Sequence, residues 1–181
     1  MSIQIYKPNK DNTGFGFSFS LGKDKKNGDP VMFVNAIAQY SWNNGVGSFQ
    51  KNSENPDKNI SVKFNEFECG SIISCIKERY EWNTFHQSKE NKTTIRLTPW
   101  DKVVTVQKFD PKTKSYEASK QKVPAFGMTM TKNGNQTFKI SLDPGECECI
   151  VRFLELLLGK LYTHRINKAV KNSKTIEPFD A

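Results

Sequence analysis

Three sites in this chain set an aromatic ring at what reads as the end of a strand, two of them beside cations. Trp42 lies in "QYSWNNG", ahead of a glycine-rich loop. Trp100 follows Pro99, with Lys102 two residues on. Phe85 and His86 precede Lys89 and Lys92, and Arg96 comes on the next strand. A ring can stack on another flat ring while a neighbouring cation neutralises a phosphate, so this pairing suits unpaired bases and their backbone. Each ring equally suits a cap on the core, and the clustering says more than any one member. Lys63, Lys108 and Lys132, in or beside apparent strands, extend the cationic set. The formal net charge is +8, from 27 Lys and Arg against 19 Asp and Glu, and only four of the cations are arginine. Such a surface suits a polyanionic partner. Arginine is the usual bidentate reader of guanine, so a lysine-dominated surface favours backbone contact over base reading.

Other chemistries lack their signatures. No phosphate-loop, H-E-x-x-H or G-x-S-x-G string occurs, and His86 and His164 have no sequence neighbour that would mark a catalytic pair. Cys69, Cys75, Cys147 and Cys149 do not have zinc-type spacing. The expectation is a protein that is not an enzyme, with no metal, no cofactor and no small-molecule substrate. No segment approaches the roughly 18 apolar residues of a membrane span. The opening "MSIQIYKPNK" lacks an apolar leader core, so a cytoplasmic, intracellular location is expected.

The elements that must position these residues read as follows. Apolar alternation marks strands at 2–7, 14–21, 31–39 and 59–64, separated by Gly, Pro, Asn and Asp. Asn65 and Glu68 have capping-box spacing, and Cys69, Ile72, Ile73, Ile76 and Tyr80 make one helical stripe, predicting a helix over about 66–81. Strands return at 84–88, 93–109, 124–132 and 136–142, with "NGN" at 133–135 as a hairpin turn. The lysine-rich stretch 110–122 reads as an extended loop or a protruding hairpin. Asp143 and Pro144 then open a helix of about 25 residues, roughly 37 Å long. Its stripe runs from Cys147 to Leu161. Phe153 and Leu156 lie off that stripe, so the apolar arc is wide; with Leu157 they mark either a deeper core or a subunit interface. The fold class is α+β: two antiparallel strand-rich halves, each followed by a helix. One domain spans 1–171, and 172–181 forms a tail whose aromatic-acidic end suits competition for a basic groove or recruitment of partners.

On Phe15, Phe17 and Phe19 two readings stay open. They share one strand face, opposite Gly16, Ser18 and Ser20, as core residues or as a stacking platform; Phe17 is kept as a candidate binding residue. "GFGF" is similar to the first ribonucleoprotein motif of RNA-recognition domains, but that motif sits on a strand that follows a helix, and none precedes residue 14.

The order ββββαββββα, together with "NQTFKISLDPGECECIVRFLELL" at 135–157, resembles the Whirly architecture, the duplicated relative of the positive-coactivator-four (p15-type) single-stranded-DNA-binding fold. The resemblance covers Ile3 to about Arg165; the lysine-glycine-lysine motif of plant Whirly proteins is not found. It implies single-stranded DNA, or RNA, held along the sheets, with helices building the core and a homo-oligomer. Small phage single-strand-binding proteins acting in replication, recombination or repair are a plausible home. The alternative is a protein-interaction module that works through its last helix.

Overall fold

Side chains two apart on a strand share a face, and this chain spends that period on burial. In the computed structural model, which describes residues 2–26, 28–88 and 91–173, the buried positions Phe17 and Phe19, Met32, Val34 and Ala36, and Ile60, Val62 and Phe64 all recur every second residue. They belong to β2 (Phe15–Lys23), β3 (Pro30–Ala38) and β6 (Asn59–Phe64), which with β1 (Ser2–Lys7) form an antiparallel sheet in the order β1-β2-β3-β6. Between β3 and β6 the chain makes a small hairpin, β4 (Ser41–Asn43) and β5 (Val46–Ser48). Its turn uses Asn44 and Gly45 at φ 51° and 82°, the positive values that such a tight turn requires.

The second half repeats the plan. β7 (Trp82–Gln87), β8 (Lys92–Asp110), β9 (Ser115–Lys132) and β10 (Gln136–Leu142) form an antiparallel sheet in the order β10-β9-β8-β7. Asn133 and Gly134, also at positive φ, make the expected turn between β9 and β10. β8 and β9 are far longer than their neighbours. They pair without a break from Thr93 opposite Lys132 out to Asp110 opposite Ser115, so 110–122 is a turn and a strand of a protruding hairpin.

Helix α1 (Glu66–Glu78) starts as its sequence dictates: Asn65 Oδ1 accepts from the Glu68 N–H at 2.9 Å, and Glu68 accepts in return from the Asn65 N–H at 3.0 Å. It ends three residues earlier than the apolar spacing predicts. Arg79 turns left-handed at φ 55°, which leaves Tyr80 outside the helix and exposed. Helix α2 (Pro144–Ser173) is 30 residues long, about 45 Å, and outruns the expected 25. It takes in the first two residues of the expected tail; the rest of that tail lies outside the described residues.

Both helices bury their apolar stripes between the inner faces of the two sheets. Cys69, Ile72 and Cys75 of α1 and Ile150, Phe153, Leu154 and Leu157 of α2 join Phe17, Phe19, Ile95, Met130 and Phe138 in one core. A fully buried side chain of this size contributes about 1.5–3 kcal/mol. Two expectations are corrected here. Phe17 is 1% exposed and Phe15 packs edge-on against Phe138 (5.9 Å), so the phenylalanine face is core. Phe153 and Leu157 are buried within the chain itself, because the wide arc of α2 faces two sheets and α1 together; only Leu156 of the expected interface trio reaches the surface.

Candidate nucleic-acid interface

The outer faces of the sheets lack carboxylates. None of the 19 Asp and Glu falls in the strand segments 2–7, 15–23, 30–38, 59–64, 82–87, 92–100, 125–132 or 136–142. Those 60 residues hold seven Lys and Arg, whereas the chain's overall frequency would place about six acids among them. The acids sit instead on helices, loops and the β8–β9 projection.

On the second sheet the outer face carries Asn83, Arg96, Thr129 and Lys139 in one row, and Phe85, Thr94, Thr131 and Thr137 in the next. Phe85 is 56% exposed at one end and Trp100 is 41% exposed at the other. Trp100 lies six residues along β8 from Thr94, the partner of Phe85, or about 20 Å at strand spacing. Two contacts fix the Trp100 end. Arg79, at the left-handed end of α1, donates to the Trp100 carbonyl (3.4 Å) and to Asp101 (3.0 Å). Lys102 donates to Asp143 at 2.8 Å, a hydrogen bond that holds the Asp143 carboxyl below its usual value. Trp100 borders an open groove of about 690 Å³ whose far wall is the β1–β2 turn, with Asn9 and Thr13, and whose other side is Thr129 and Lys139. Gly127 lies in its floor. A Cβ there would meet nothing nearer than the Thr98 carbonyl oxygen at 3.9 Å, so the space above it is open.

A second groove, about 460 Å³, runs between β6 and the ends of β7 and β8, and brings together Lys63, His86 and Lys132. All three are already engaged. Lys63 pairs with Asp24 at 2.7 Å, and Lys132 donates to the Pro56 carbonyl at 2.9 Å. His86 stacks on Phe64 (5.6 Å, 8° between planes) with its Nε2 2.7 Å from Glu68. This corrects the reading of His86 as a stacking residue: its ring face is spent on the core edge. Arg96 is exposed and 3.6 Å from Glu81, while Lys92, Lys108 and Lys139 make no ion pair among the described residues. Lys89 lies outside the described residues.

Trp42 belongs to a different cluster, on the first sheet. The β4–β5 hairpin sets it, half-buried, beside Tyr6, Pro8 and Phe49, with the Tyr6 and Phe49 rings 4.8 Å apart. Tyr6 and Phe33 were not singled out in the sequence, yet both lie on the outer face over glycines. A Cβ on Gly16 would fall 2.4 Å from the Tyr6 ring, and one on Gly22 would fall 2.7 Å from Phe33. The signal was present as Gly16, directly cross-strand from Tyr6 on β1, and Gly22, diagonal to Phe33 on β3.

No protein-family model and no curated protein matches the chain. Among solved structures it is similar to WHY1 from Arabidopsis thaliana, at 10% identity and a TM-score of 0.55, over 100% of this chain and 96% of that one. It is similar to WHY3 from Arabidopsis thaliana at 9% identity and TM-score 0.56, over 98% and 97%. It also resembles the plant transcriptional regulator PBF-2 at 11% identity and TM-score 0.51, over 100% and 90%. The likeness is one of fold: the chain has the Whirly fold that its element order implied.

Proposed function

We propose that this chain binds single-stranded DNA without regard to base sequence, acting by binding rather than catalysis where strands are separated in replication, recombination or repair inside the cell. The observation that carries the reading is the carboxylate-free outer face of the second sheet, with two exposed rings, unpaired Lys139 between them and unpaired Lys92 just beyond Phe85. Lysines neutralise phosphates there, and rings accept any base because every base has a π-face. The Whirly fold supports the reading by placing both sheets with their outer faces free.

The test is a titration of fluorescent oligo-dT, oligo-rU and a duplex of equal length at two salt concentrations. Tight binding to oligo-dT is expected, weakening with a log-log slope near −0.7 per neutralised phosphate. Absent binding, or equal binding to duplex, overturns it; preference for oligo-rU moves the partner to RNA. Trp100→Ala should weaken binding more than Trp42→Ala, because Trp42 is the more buried ring.

A homo-oligomer is part of the reading, with α2 as the contact, because that helix exposes Leu156, Tyr162 and Ile166. Leu156→Glu with Ile166→Glu should reduce the mass seen by light scattering to that of one chain. A wild-type chain that is already monomeric instead favours a protein-interaction module with an open apolar strip.

A further inference from the structure

The strand pair β8–β9 continues well past the last residue that the core can hold. Beyond Lys102 and Val123 no third strand flanks either edge among the described residues, and every residue from Thr105 to Lys122 except half-buried Asp110 is exposed. Nine residues of β8, from Lys102 to Asp110, extend about 30 Å. Isolated two-stranded ribbons are at best marginal in water, so this length needs a use that offsets its instability.

The ribbon is unusual in charge and in what it displays. Between Lys102 and Lys122 stand six lysines and two acids, which together supply half of the chain's net +8. Lys102 is held by Asp143, but Lys108, Lys112, Lys114, Lys120 and Lys122 make no ion pair among the described residues. At the tip, Phe109 and Tyr116 face each other across the strands with ring centres 5.3 Å apart, at 50% and 69% exposure. The turn behind them is ordered by its own side chains. Asp110 accepts from the Lys112 N–H (2.8 Å) and from the Thr113 hydroxyl (3.1 Å), and Lys114 takes φ 50°. Phe109, Tyr116, Lys120 and Lys122 share one face of the ribbon. By strand alternation it is the face opposite that of Trp100.

We propose that this ribbon is a second, separate contact for unpaired nucleic acid, in which Phe109 and Tyr116 stack on bases and the five free lysines grip the backbone. The proposal rests on the single-strand-binding reading above and extends it to a site not continuous with the Trp100 groove. A second copy of the ribbon is the poorer occupant: two ribbons of net +4 repel, and lysine on an exposed edge disfavours strand-to-strand pairing. Duplex is poorer as well, since stacked base pairs offer no ring face to an exposed aromatic pair.

The test compares the wild-type chain with Phe109→Ser/Tyr116→Ser and, separately, with Lys108, Lys112, Lys114 and Lys120 all changed to Gln. None of these residues touches the core, so folding is expected to be unchanged, checked by thermal melting. Oligo-dT of about 10 nucleotides, inside the 4–16 that a comparable stacking groove covers, should bind all three chains alike. On oligo-dT of about 40 nucleotides the aromatic variant should bind at least about five-fold more weakly, the lower end of what one stacked base contributes. The lysine variant should lower the salt slope by about 0.7 for each phosphate it no longer neutralises. Ultraviolet crosslinking of the long oligonucleotide should mark the peptide that carries Phe109 or Tyr116. If the wild type binds long oligo-dT and both variants match it in affinity and slope, the ribbon proposal is overturned while the sheet reading stands. A loss seen only on duplex, or a change of oligomeric mass without a change of affinity, overturns it too. A wild type that binds no oligonucleotide removes both readings.

Discussion

Replacing Lys92 and Lys139 together by Gln tests whether the sheet face, rather than net charge, holds the polyanion. Both are exposed, stand on the second sheet and make no ion pair among the described residues, so each is free to displace a counterion from a phosphate. Each phosphate left without its lysine takes about 0.7 off the salt slope on a single strand, so the pair takes off about 1.4. Relative to 1 M salt, each is worth about five-fold in affinity at 0.1 M, and the pair about 25-fold. Stability should stay within about 0.5 kcal/mol, as expected for surface changes away from caps and cores. The control is Lys77→Gln/Lys160→Gln, which removes the same charge from the helices, where Lys77 is bound to Glu155 at 2.7 Å. Fluorescence anisotropy with oligo-dT across a salt series reads both slopes. If the two double variants weaken binding equally, the attraction comes from overall charge and the sheet face has no special part in it.

Three further outcomes follow from the geometry. Gly127→Leu should leave melting nearly unchanged, because its Cβ has room, yet weaken oligo-dT binding by filling the groove beside Trp100; unchanged affinity would place the strand elsewhere. Asp143 and Glu66 sit below their ordinary values of 3.8 and 4.5, through hydrogen bonds from Lys102 and Arg165 first of all. A depressed carboxyl stabilises above its unfolded value and loses that contribution as pH falls through the folded one. The urea midpoint should therefore be flat above about pH 5 and fall below about pH 4, less steeply in Asp143→Asn. Burial pushes the thiols of Cys69, Cys75 and Cys147 up to about 12, 11 and 12, while Cys149 is exposed. A thiol reagent at pH 8 should thus label one cysteine in the native chain and four in urea; three or more labelled before unfolding would contradict the packing.

Local signals were legible where one residue's chemistry decides the outcome. The Asn65–Glu68 box, Pro144 at the first turn of α2 and the Asn133–Gly134 turn stand where the sequence puts them, since capping groups and positive-φ residues act within a few positions. The end of α1 was not legible, because Arg79 takes a left-handed conformation while contacting Trp100 and Asp101, partners 21 and 22 residues away. The roles of Phe17, Phe153 and Leu157 were ambiguous for a related reason: alternation and helical period show that a face is apolar, not how many layers will cover it. The engagement of His86 is not legible in sequence, because Phe64 at the end of β6 and Glu68 in the first turn of α1 meet it only once β7 packs beside them. The clearest signal that sequence reading missed was negative: 60 strand residues without one carboxylate.

The glycines beneath Tyr6 and Phe33 bind the fate of two positions into one. Neither ring can stay where it lies if its floor gains even a methyl group, so natural variation at 6 and 16, or at 33 and 22, should change in pairs, small for large. A ring that lies this close over a glycine has little room to turn, so it would give up little motional freedom to anything that settled on it.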